Sequence, residues 1–217
     1  MSQLFLKEFL EYLDAEDKEK CVEFIIKKLD NKELDISTLY SQVLEPSLNK
    51  FYCDVEEEKL CIWKEHVRTS IISTIIELCY PYILKERKEK KVKTLNIKVL
   101  VGCPSEEYRD VGARMIADIF TLYGYDSIFV GANTPRTEIR DAINILRPKI
   151  IVLSITNYYN LVEAEKAIAL IRGYTEFKGK IIVGGIAFLS NPEIYKQIGA
   201  DFLIENYSQI KNLAEGI

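Results

Sequence analysis

The sequence is poor in histidine and lacks the best-known nucleotide-binding motifs. Its single histidine, His66, lies in the first half of the chain, which excludes a histidine-based catalytic triad confined to the second half. Neither G-x-G-x-x-G nor G-x-x-x-x-G-K-[ST] occurs, which argues against a dinucleotide site or a P-loop. The five cysteines form no C-x-x-C pair, so neither a zinc site nor a redox pair is indicated.

Excess positive charge and long apolar runs are also missing. The net charge is -4 at pH 7, so nothing points to nucleic acid or to an anionic membrane as a partner. We find no signal-peptide pattern and no apolar run of the roughly 18–20 residues that span a bilayer. With 48% hydrophobic residues, the chain can build a core. We expect a cytoplasmic protein that does not associate with membranes.

Residues 1–90 have apolar residues at helical spacing and no strand pattern. Four amphipathic stretches with short connections predict a small four-helix bundle. Asp35 stands where an N-cap is needed for the third helix. Pro46 and Pro81 fall inside the third and fourth stretches, where we expect them to kink or end the helices.

Residues 94–217 alternate between short apolar runs and helical patterns. The apolar runs predict five strands, at residues 97–101, 127–130, 150–154, 180–183 and 201–204. Strands that alternate with helices form right-handed βαβ units and a parallel sheet. The fold class is therefore α/β, with a helical bundle followed by a flavodoxin/Rossmann-like sheet, for which the strand order 2-1-3-4-5 is expected.

Ligands of such sheets lie beyond the carboxyl ends of the strands, and small or polar residues follow each strand there. Gly184-Gly185 either lets the backbone approach a ligand or merely turns the chain. Glu106, Glu107 and Asp110 could bind Mg²⁺, as in a response-regulator receiver domain. Against that alternative, Leu153-Ser154 stands where the aspartate of that fold is expected after the third strand.

Four motifs at the strand ends resemble those of cobalamin-binding domains. These domains carry D/E-x-H-x-x-G after the first strand, and Glu107 and Gly112 match its acidic residue and its glycine. They carry S-x-L/T after the third strand, which Ser154 and Thr156 match. Because the matches come in order, each at a strand end, they are more specific together than any one alone.

The other two motifs complete the resemblance. Gly184-Gly185, followed by Phe188, corresponds to the G-G motif after the fourth strand. Gly131, Asn133 and the residues around them resemble the G-A-N-x-P loop after the second strand. The histidine of the first motif, which holds cobalt in this family, is replaced by Arg109. Arginine has no acceptor lone pair, so it cannot ligate cobalt, although it can pair with a propionate, a phosphate or an acidic neighbour.

The helical half resembles the cap over the corrin in methionine synthase and in MerR-type light-sensing repressors. That cap has a helix with a central proline, then a tryptophan, nine residues and Glu-His. Glu65-His66 fits the end of this signature and Pro46 falls plausibly, but Val55 holds the tryptophan position. Trp63 lies eight residues further along the chain.

The resemblance implies a set of cofactor-contacting residues and a possible upper axial metal ligand, His66. The implied contacts are Val55, Glu65, Glu107, Tyr108, Arg109, Gly112, Gly131, Asn133, Ser154, Thr156, Gly184, Gly185 and Phe188.

The resemblance also implies a function, which we expect to be that of a sensor or regulatory protein. It would hold cobalamin, or haem or another tetrapyrrole, between the helical cap and the α/β domain. One alternative is a corrinoid methyl carrier of a methyltransferase system, and another is an interaction protein without a ligand. The 30 or so residues before Asp35 are too few and too acidic for a helix-turn-helix module. We therefore expect a protein partner and no direct DNA binding.

Overall fold

A computed structural model describes residues 2–49, 58–173 and 177–213 of the chain. The residues cluster into two compact units, Met1–Glu89 and Lys90–Ile217, which are described one at a time. The first is helical, and the second is a five-stranded sheet with helices. The predicted fold class is confirmed.

The helical unit follows the predicted pattern of four helical stretches. Its elements are α1 (Ser2–Asp14), α2 (Lys18–Asp30), α3 (Ile36–Leu39), a π-helical turn (Tyr40–Leu44), α4 (Glu45–Asn49) and α5 (Glu58–Glu89). Asp35 caps α3 as predicted, because its carboxylate accepts a hydrogen bond of 2.8 Å from the amide of Thr38. The carboxylate of Glu86 on α5 accepts from the amide of Ile36 at 3.1 Å. The start of α3 is thus tied to the last turns of α5.

Neither proline ends its helix at the proline itself, and the expected kinks stay predictions. Pro81 lies inside α5, which continues to Glu89, so the helix does not end there. Apolar side chains on both sides of Pro81, including Cys79 and Ile83, are buried, and their packing offsets the roughly 3 kcal/mol that an internal proline costs. Pro46 lies just after the π-helical turn, where the backbone has already widened.

A buried arginine joins three helices of this unit. The side chain of Arg68 on α5 is 6% exposed and pairs with the carboxylate of Asp14 on α1. It also donates a hydrogen bond of 3.1 Å to the carbonyl of Ser47 on α4. The hydroxyl of Ser47 donates to the carbonyl of Val43 at 2.6 Å. These bonds satisfy backbone groups near the π-helical turn, where the regular ladder is interrupted.

By length and composition alone, residues 62–89 of α5 could also cross a membrane. A stretch of 18 residues within it has a mean hydropathy of 1.2, and 39% of that stretch is buried inside the protein. A core helix passes the same test, and α5 packs against α1, α2 and α3. The cytoplasmic location therefore stays a prediction.

The second unit is a parallel sheet in the order β2-β1-β3-β4-β5, as predicted. Its strands are β1 (Lys98–Pro104), β2 (Asp126–Thr134), β3 (Ile150–Ser154), β4 (Lys180–Gly184) and β5 (Phe202–Ile204). Its helices are α6 (Val111–Leu122), α7 (Arg136–Leu146), α8 (Leu161–Gly173), α9 (Ile194–Gln197) and α10 (Ser208–Asn212). Short 3₁₀ turns at Tyr158–Asn160 and Ile186–Phe188 follow β3 and β4.

The order of the strands explains their composition. β3 lies in the middle of the sheet and all its residues are buried, which is why it is a continuous apolar run. β2 is an edge strand and none of its residues is fully buried. Beyond Val101, β1 and β2 stay paired with shifted register, out to Pro104 and Thr134. The expectation that Gly131 and Asn133 lie in a loop is therefore wrong, because they belong to the irregular end of β2.

Candidate functional site

A buried carboxylate organises the loops at the carboxyl edge of the sheet. Glu107, between β1 and α6, is 1% exposed. Its Oε2 accepts hydrogen bonds from the amides of Thr156 and Asn157, both at 2.9 Å, and from Nδ2 of Asn160 at 3.1 Å. Its Oε1 accepts from the amide of Arg109 at 3.1 Å. The loop after β1 is thus fastened to the loop after β3, and we call this arrangement the Glu107 clamp.

Asn133 ties the end of β2 to the same loop. Its amide donates to the carbonyl of Glu107 at 2.8 Å, and its Oδ1 accepts from the amide of Glu106 at 2.8 Å. Both Asn133 and Glu106 have left-handed backbones, with φ of 47° and 67°. Such conformations cost free energy in residues other than glycine, and the reciprocal hydrogen bonds offset that cost.

The glycines of this edge fall into two groups. A Cβ on Gly185 would lie 2.2 Å from the carbonyl oxygen of Ile155, and one on Gly184 would lie 3.3 Å from that of Ile204. The chain's own packing therefore requires glycine at position 185 and leaves little room for a side chain at position 184. A Cβ on Gly131 would meet nothing within 4 Å, and one on Gly112 would meet only the Ser154 hydroxyl, at 3.9 Å. A ligand therefore has space to approach the backbone at Gly131 and Gly112.

The thiol before the first motif and the carboxylates within it are poorly suited to holding a metal. Burial raises the pKa of the Cys103 thiol to about 12, so it stays protonated at neutral pH. The carboxylate of Asp110 pairs with Arg114 at 3.0 Å. Both oxygens of Glu107 already accept hydrogen bonds. Within the described ranges, no group of three potential ligands surrounds a metal site, so the Mg²⁺ alternative gains no support.

The residues predicted to contact a cofactor differ in their exposure to solvent. Tyr108, Arg109 and Gly185 face solvent, whereas Ser154 and Phe188 are buried. The ring of Phe188 belongs to the buried core of this unit. The contact roles of all these residues stay predictions.

Sequence reasoning missed a set of exposed apolar side chains on the same edge. Tyr159, after β3, is 84% exposed and Leu189, after β4, is 77% exposed. Tyr158 and Ile186 are exposed beside them. Large apolar side chains left in water at one edge of a domain commonly mark a binding surface. The consecutive tyrosines 158 and 159 were the available signal, because a buried loop would not carry both.

The predicted residues of the helical unit are only partly described. His66 is exposed on α5, and Glu65 before it is half-buried. Val55 lies outside the described residues. Ligation of a metal by His66 stays a prediction.

Comparisons with known proteins agree with the resemblance read from the strand ends. A family model described as the B12 binding domain matches residues 97–210, more than half of the chain. No curated protein matches the chain in sequence.

Several solved structures share the fold at low sequence identity. The monomethylamine corrinoid protein of Methanosarcina barkeri superposes with a TM-score of 0.78 at 14% identity, covering 99% of this chain and 98% of that one. A cobalamin-binding protein from Desulfitobacterium hafniense DCB-2 gives 0.52 at 15% identity, covering 98% of both chains. The methanol:cobalamin methyltransferase complex from Methanosarcina barkeri gives 0.51 at 15% identity, covering 97% and 78%.

Proposed function

The chain belongs to the family of B12-binding domains, and we propose that it is a corrinoid-binding protein that carries methyl groups for a partner methyltransferase. The observation that carries the proposal is the family match over residues 97–210. That range contains β1 through β5 and every loop of the carboxyl edge. Cobalamin is accordingly the cofactor assigned to this domain.

The choice of a carrier over a sensor rests on the solved structures. The corrinoid protein of Methanosarcina barkeri has this fold along nearly all of its length, helical unit included. Another structure with this fold is part of a methyltransferase complex. These likenesses support the methyl-carrier alternative better than the sensor that we first expected.

The carboxyl edge fits the corrin ring better than it fits the metal. A corrin is a broad apolar ring with amide groups around its rim. Exposed side chains such as Tyr108, Tyr159 and Leu189 would cover apolar surface of the ring, and the half-exposed Thr156 would offer a hydroxyl to the rim. When bound, the corrinoid supplies a cobalt atom that can accept and donate a methyl group. Arg109 stands where a cobalt-binding histidine would be, so the first motif does not fit cobalt ligation.

The arginine at position 109 also favours a second candidate function. In this alternative the chain is a regulatory protein that binds cobalamin or haem without transferring a methyl group. A carrier must move cobalt between oxidation states, and an axial histidine helps to tune that step. A regulator needs only to retain the tetrapyrrole and to change its contacts with a partner protein.

Retention of the ligand tests the proposal first. The purified chain is mixed with hydroxo-, methyl- or adenosylcobalamin, or with haem, desalted, and examined by absorption. We expect cobalamin to stay bound at micromolar protein. A chain that retains none of the four ligands would refute both candidates, and one that retains only haem would refute the carrier.

Two matched variants locate the bound ligand. Leu189→Ala removes an apolar side chain from the carboxyl edge. Ile145→Ala removes one of similar exposure, 78% against 77%, near the end of α7. Covering the lost methylene groups is worth about 1–2 kcal/mol, so Leu189→Ala should weaken cobalamin binding about tenfold. Ile145→Ala should leave the affinity unchanged. Equal effects of the two variants would place the ligand elsewhere.

Methyl transfer separates the two candidates. The loaded protein is reduced in the presence of a methyl donor and its methyltransferase, and methylcobalamin is measured by absorption. A carrier forms methylcobalamin in proportion to the loaded protein. A protein that retains cobalamin but never becomes methylated would be the regulator.

Axial ligation by His66 is tested by the spectrum of bound hydroxocobalamin or haem. We predict that any histidine ligation comes from His66, so His66→Ala should abolish a histidine-type spectrum. A spectrum unchanged by this substitution contradicts the prediction. Tighter binding in Arg109→His would indicate that the loop after β1 still presents residue 109 toward cobalt.

A further inference from the structure

Two asparagine side chains hold the backbone of Glu106 from the two strands that flank β1. Asn133, at the end of β2, accepts a hydrogen bond of 2.8 Å from the Glu106 amide through its Oδ1. Asn160, in the 3₁₀ turn after β3, donates a hydrogen bond of 3.0 Å from its Nδ2 to the Glu106 carbonyl. Resting on the proposed function, we propose that both asparagines are positioning residues. They hold the loop that carries Tyr108 and Arg109 in the conformation that binds the corrinoid.

The turn at Glu106 depends on contacts from outside itself. The chain turns directly after β1, where the amide of Glu107 donates to the carbonyl of Pro104 at 3.1 Å. Glu106 is the third residue of this turn and has a φ of 67°. Glycine is preferred at such a position, because a side chain disfavours positive φ. Since the sequence has glutamate there, the hydrogen bonds from Asn133 and Asn160 stabilise a conformation that the turn alone does not favour.

The partners of each asparagine determine which end of its carboxamide faces Glu106. A backbone amide can only donate, so the atom of Asn133 that meets it is the oxygen. Asn160 meets two acceptors, the Glu106 carbonyl and, at 3.1 Å, the carboxylate of Glu107, so its nitrogen faces them. Asn133 therefore acts as an acceptor and Asn160 as a donor. Aspartate can replace the first but not the second.

Holding this loop affects binding even where neither asparagine touches the ligand. Tyr108 and Arg109 follow directly after the held residues, and the side chain of Tyr108 is 66% exposed. The amide of Arg109 donates to the Glu107 carboxylate at 3.1 Å. A loop that is ordered before the ligand arrives loses less conformational entropy on binding. Releasing Glu106 should therefore weaken binding of the corrinoid although no ligand contact is removed.

Hydrogen exchange in the ligand-free full chain, followed by NMR, measures how firmly the loop is held. Asn133→Asp keeps the acceptor, so the amides of Glu106 and Arg109 should exchange at the wild-type rate. Asn133→Gly tolerates the φ of 47° at this position but has no acceptor, and should speed exchange of both amides about tenfold. Asn96→Gly is the matched control and should change neither rate. Asn96 also has a left-handed backbone, with φ of 54°, but it lies before the amino end of β1.

The same substitution should have the opposite effect at position 160. Asn160→Asp removes the donor and places a carboxylate beside that of Glu107, so it should speed exchange of the Glu106 and Arg109 amides at least tenfold. Circular dichroism checks that this variant folds. If it does not, Asn160→Ala removes the donor without adding charge and should speed exchange about tenfold.

Cobalamin affinity, measured by absorption titration of the same variants, should follow the exchange rates. Asn133→Gly and Asn160→Ala should bind cobalamin about tenfold more weakly than the wild type. Asn133→Asp should bind it as the wild type does, which a lost ligand contact through Nδ2 would not allow.

The outcomes separate the inference from the proposed function. A wild-type chain that binds no cobalamin overturns the proposed function, and the exchange rates then decide alone whether the two asparagines hold the loop. Unchanged exchange in Asn133→Gly or in Asn160→Ala overturns the inference. Weak cobalamin binding by Asn133→Asp, with the Glu106 amide still protected, overturns it as well, because Asn133 would then contact the ligand through its nitrogen.

Discussion

Comparing Gly185→Ala with Gly131→Ala separates the cost of steric overlap from the cost of backbone strain at the carboxyl edge. Gly185 and Gly131 have nearly the same φ, 109° and 112°. A Cβ on Gly185 would lie 2.2 Å from the carbonyl oxygen of Ile155, whereas one on Gly131 would meet nothing within 4 Å. Gly131→Ala therefore carries only backbone strain, about 1–2 kcal/mol.

Gly185→Ala should cost more because the backbone must move to relieve the overlap. That carbonyl accepts from the amide of Ala187 at 3.3 Å, and the amide of Ile155 donates to Gly184 at 2.9 Å. Losing or weakening two hydrogen bonds adds about 2 kcal/mol to the strain, so we expect about 4 kcal/mol in all. Gly112→Ala, inside α6 with only a 3.9 Å neighbour, should instead stabilise by about 0.5–1 kcal/mol.

Urea unfolding followed by far-ultraviolet circular dichroism measures the three variants. With a slope of about 2 kcal/mol per molar urea, Gly185→Ala should lower the α/β midpoint by about 2 M. Trp63, the only tryptophan, lies on α5 and reports the helical unit separately. Equal destabilisation by Gly185→Ala and Gly131→Ala would refute the argument, because the approach of Ile155 would then cost nothing.

The remaining predictions concern buried polar groups. Arg68→Met should lower the free energy of unfolding of the helical unit by about 2 kcal/mol, because the hydrogen bonds of its charged group to Asp14 and Ser47 are lost. The loss is limited because the side chain of Asp14 is 66% exposed. Trp63 fluorescence measures the unfolding midpoint, and an unchanged midpoint would contradict this prediction. Glu107→Gln should speed hydrogen exchange at residues 156 and 157 at least tenfold, whereas Glu106→Gln, with its exposed side chain, should not. Burial raises the pKa of the Cys103 thiol from 9.0 to about 12. Between pH 9 and 12 the thiol therefore loses its proton in the unfolded chain but keeps it in the folded one. The free energy of unfolding should fall as the pH rises above 9. Between pH 8 and 10 the wild type should lose about 1 kcal/mol more than Cys103→Ala, and parallel stability curves would refute the assignment.

The sequence predicted those parts of the fold that depend on local pattern. β3 was predicted at its true bounds because four consecutive apolar residues and Ser154 form a run that is buried throughout. The N-cap of α3 was predicted from Asp35 alone. The strand order matches the one expected for a flavodoxin-like sheet. The alternation of strands and helices does not prove that order, although right-handed crossovers leave few arrangements.

What the sequence did not predict depends on contacts between distant residues. The ends of β1 and β2 were placed too early, since their last residues pair only through shifts in register. The hydrogen bonds that Glu107 makes between two loops were not predicted, because they depend on amides about fifty residues further along the chain. The burial of Phe188 in the core was not predicted either, because it depends on the direction of a 3₁₀ turn that no local pattern reveals, and its contact with a ligand stays a prediction.

The Glu107 clamp also affects how quickly and at what entropic cost a ligand is taken up. Ordering a backbone residue costs about 1–2 kcal/mol, and this cost normally reduces the affinity of sites whose loops fold around their ligand. Here residues 105–109 and 155–160 are already joined by their own hydrogen bonds. Closure of these loops therefore does not limit the rate of association. After a ligand dissociates, the loops keep the conformation that binds it. A protein that passes a cofactor or its cargo repeatedly between partners benefits from such a resting state.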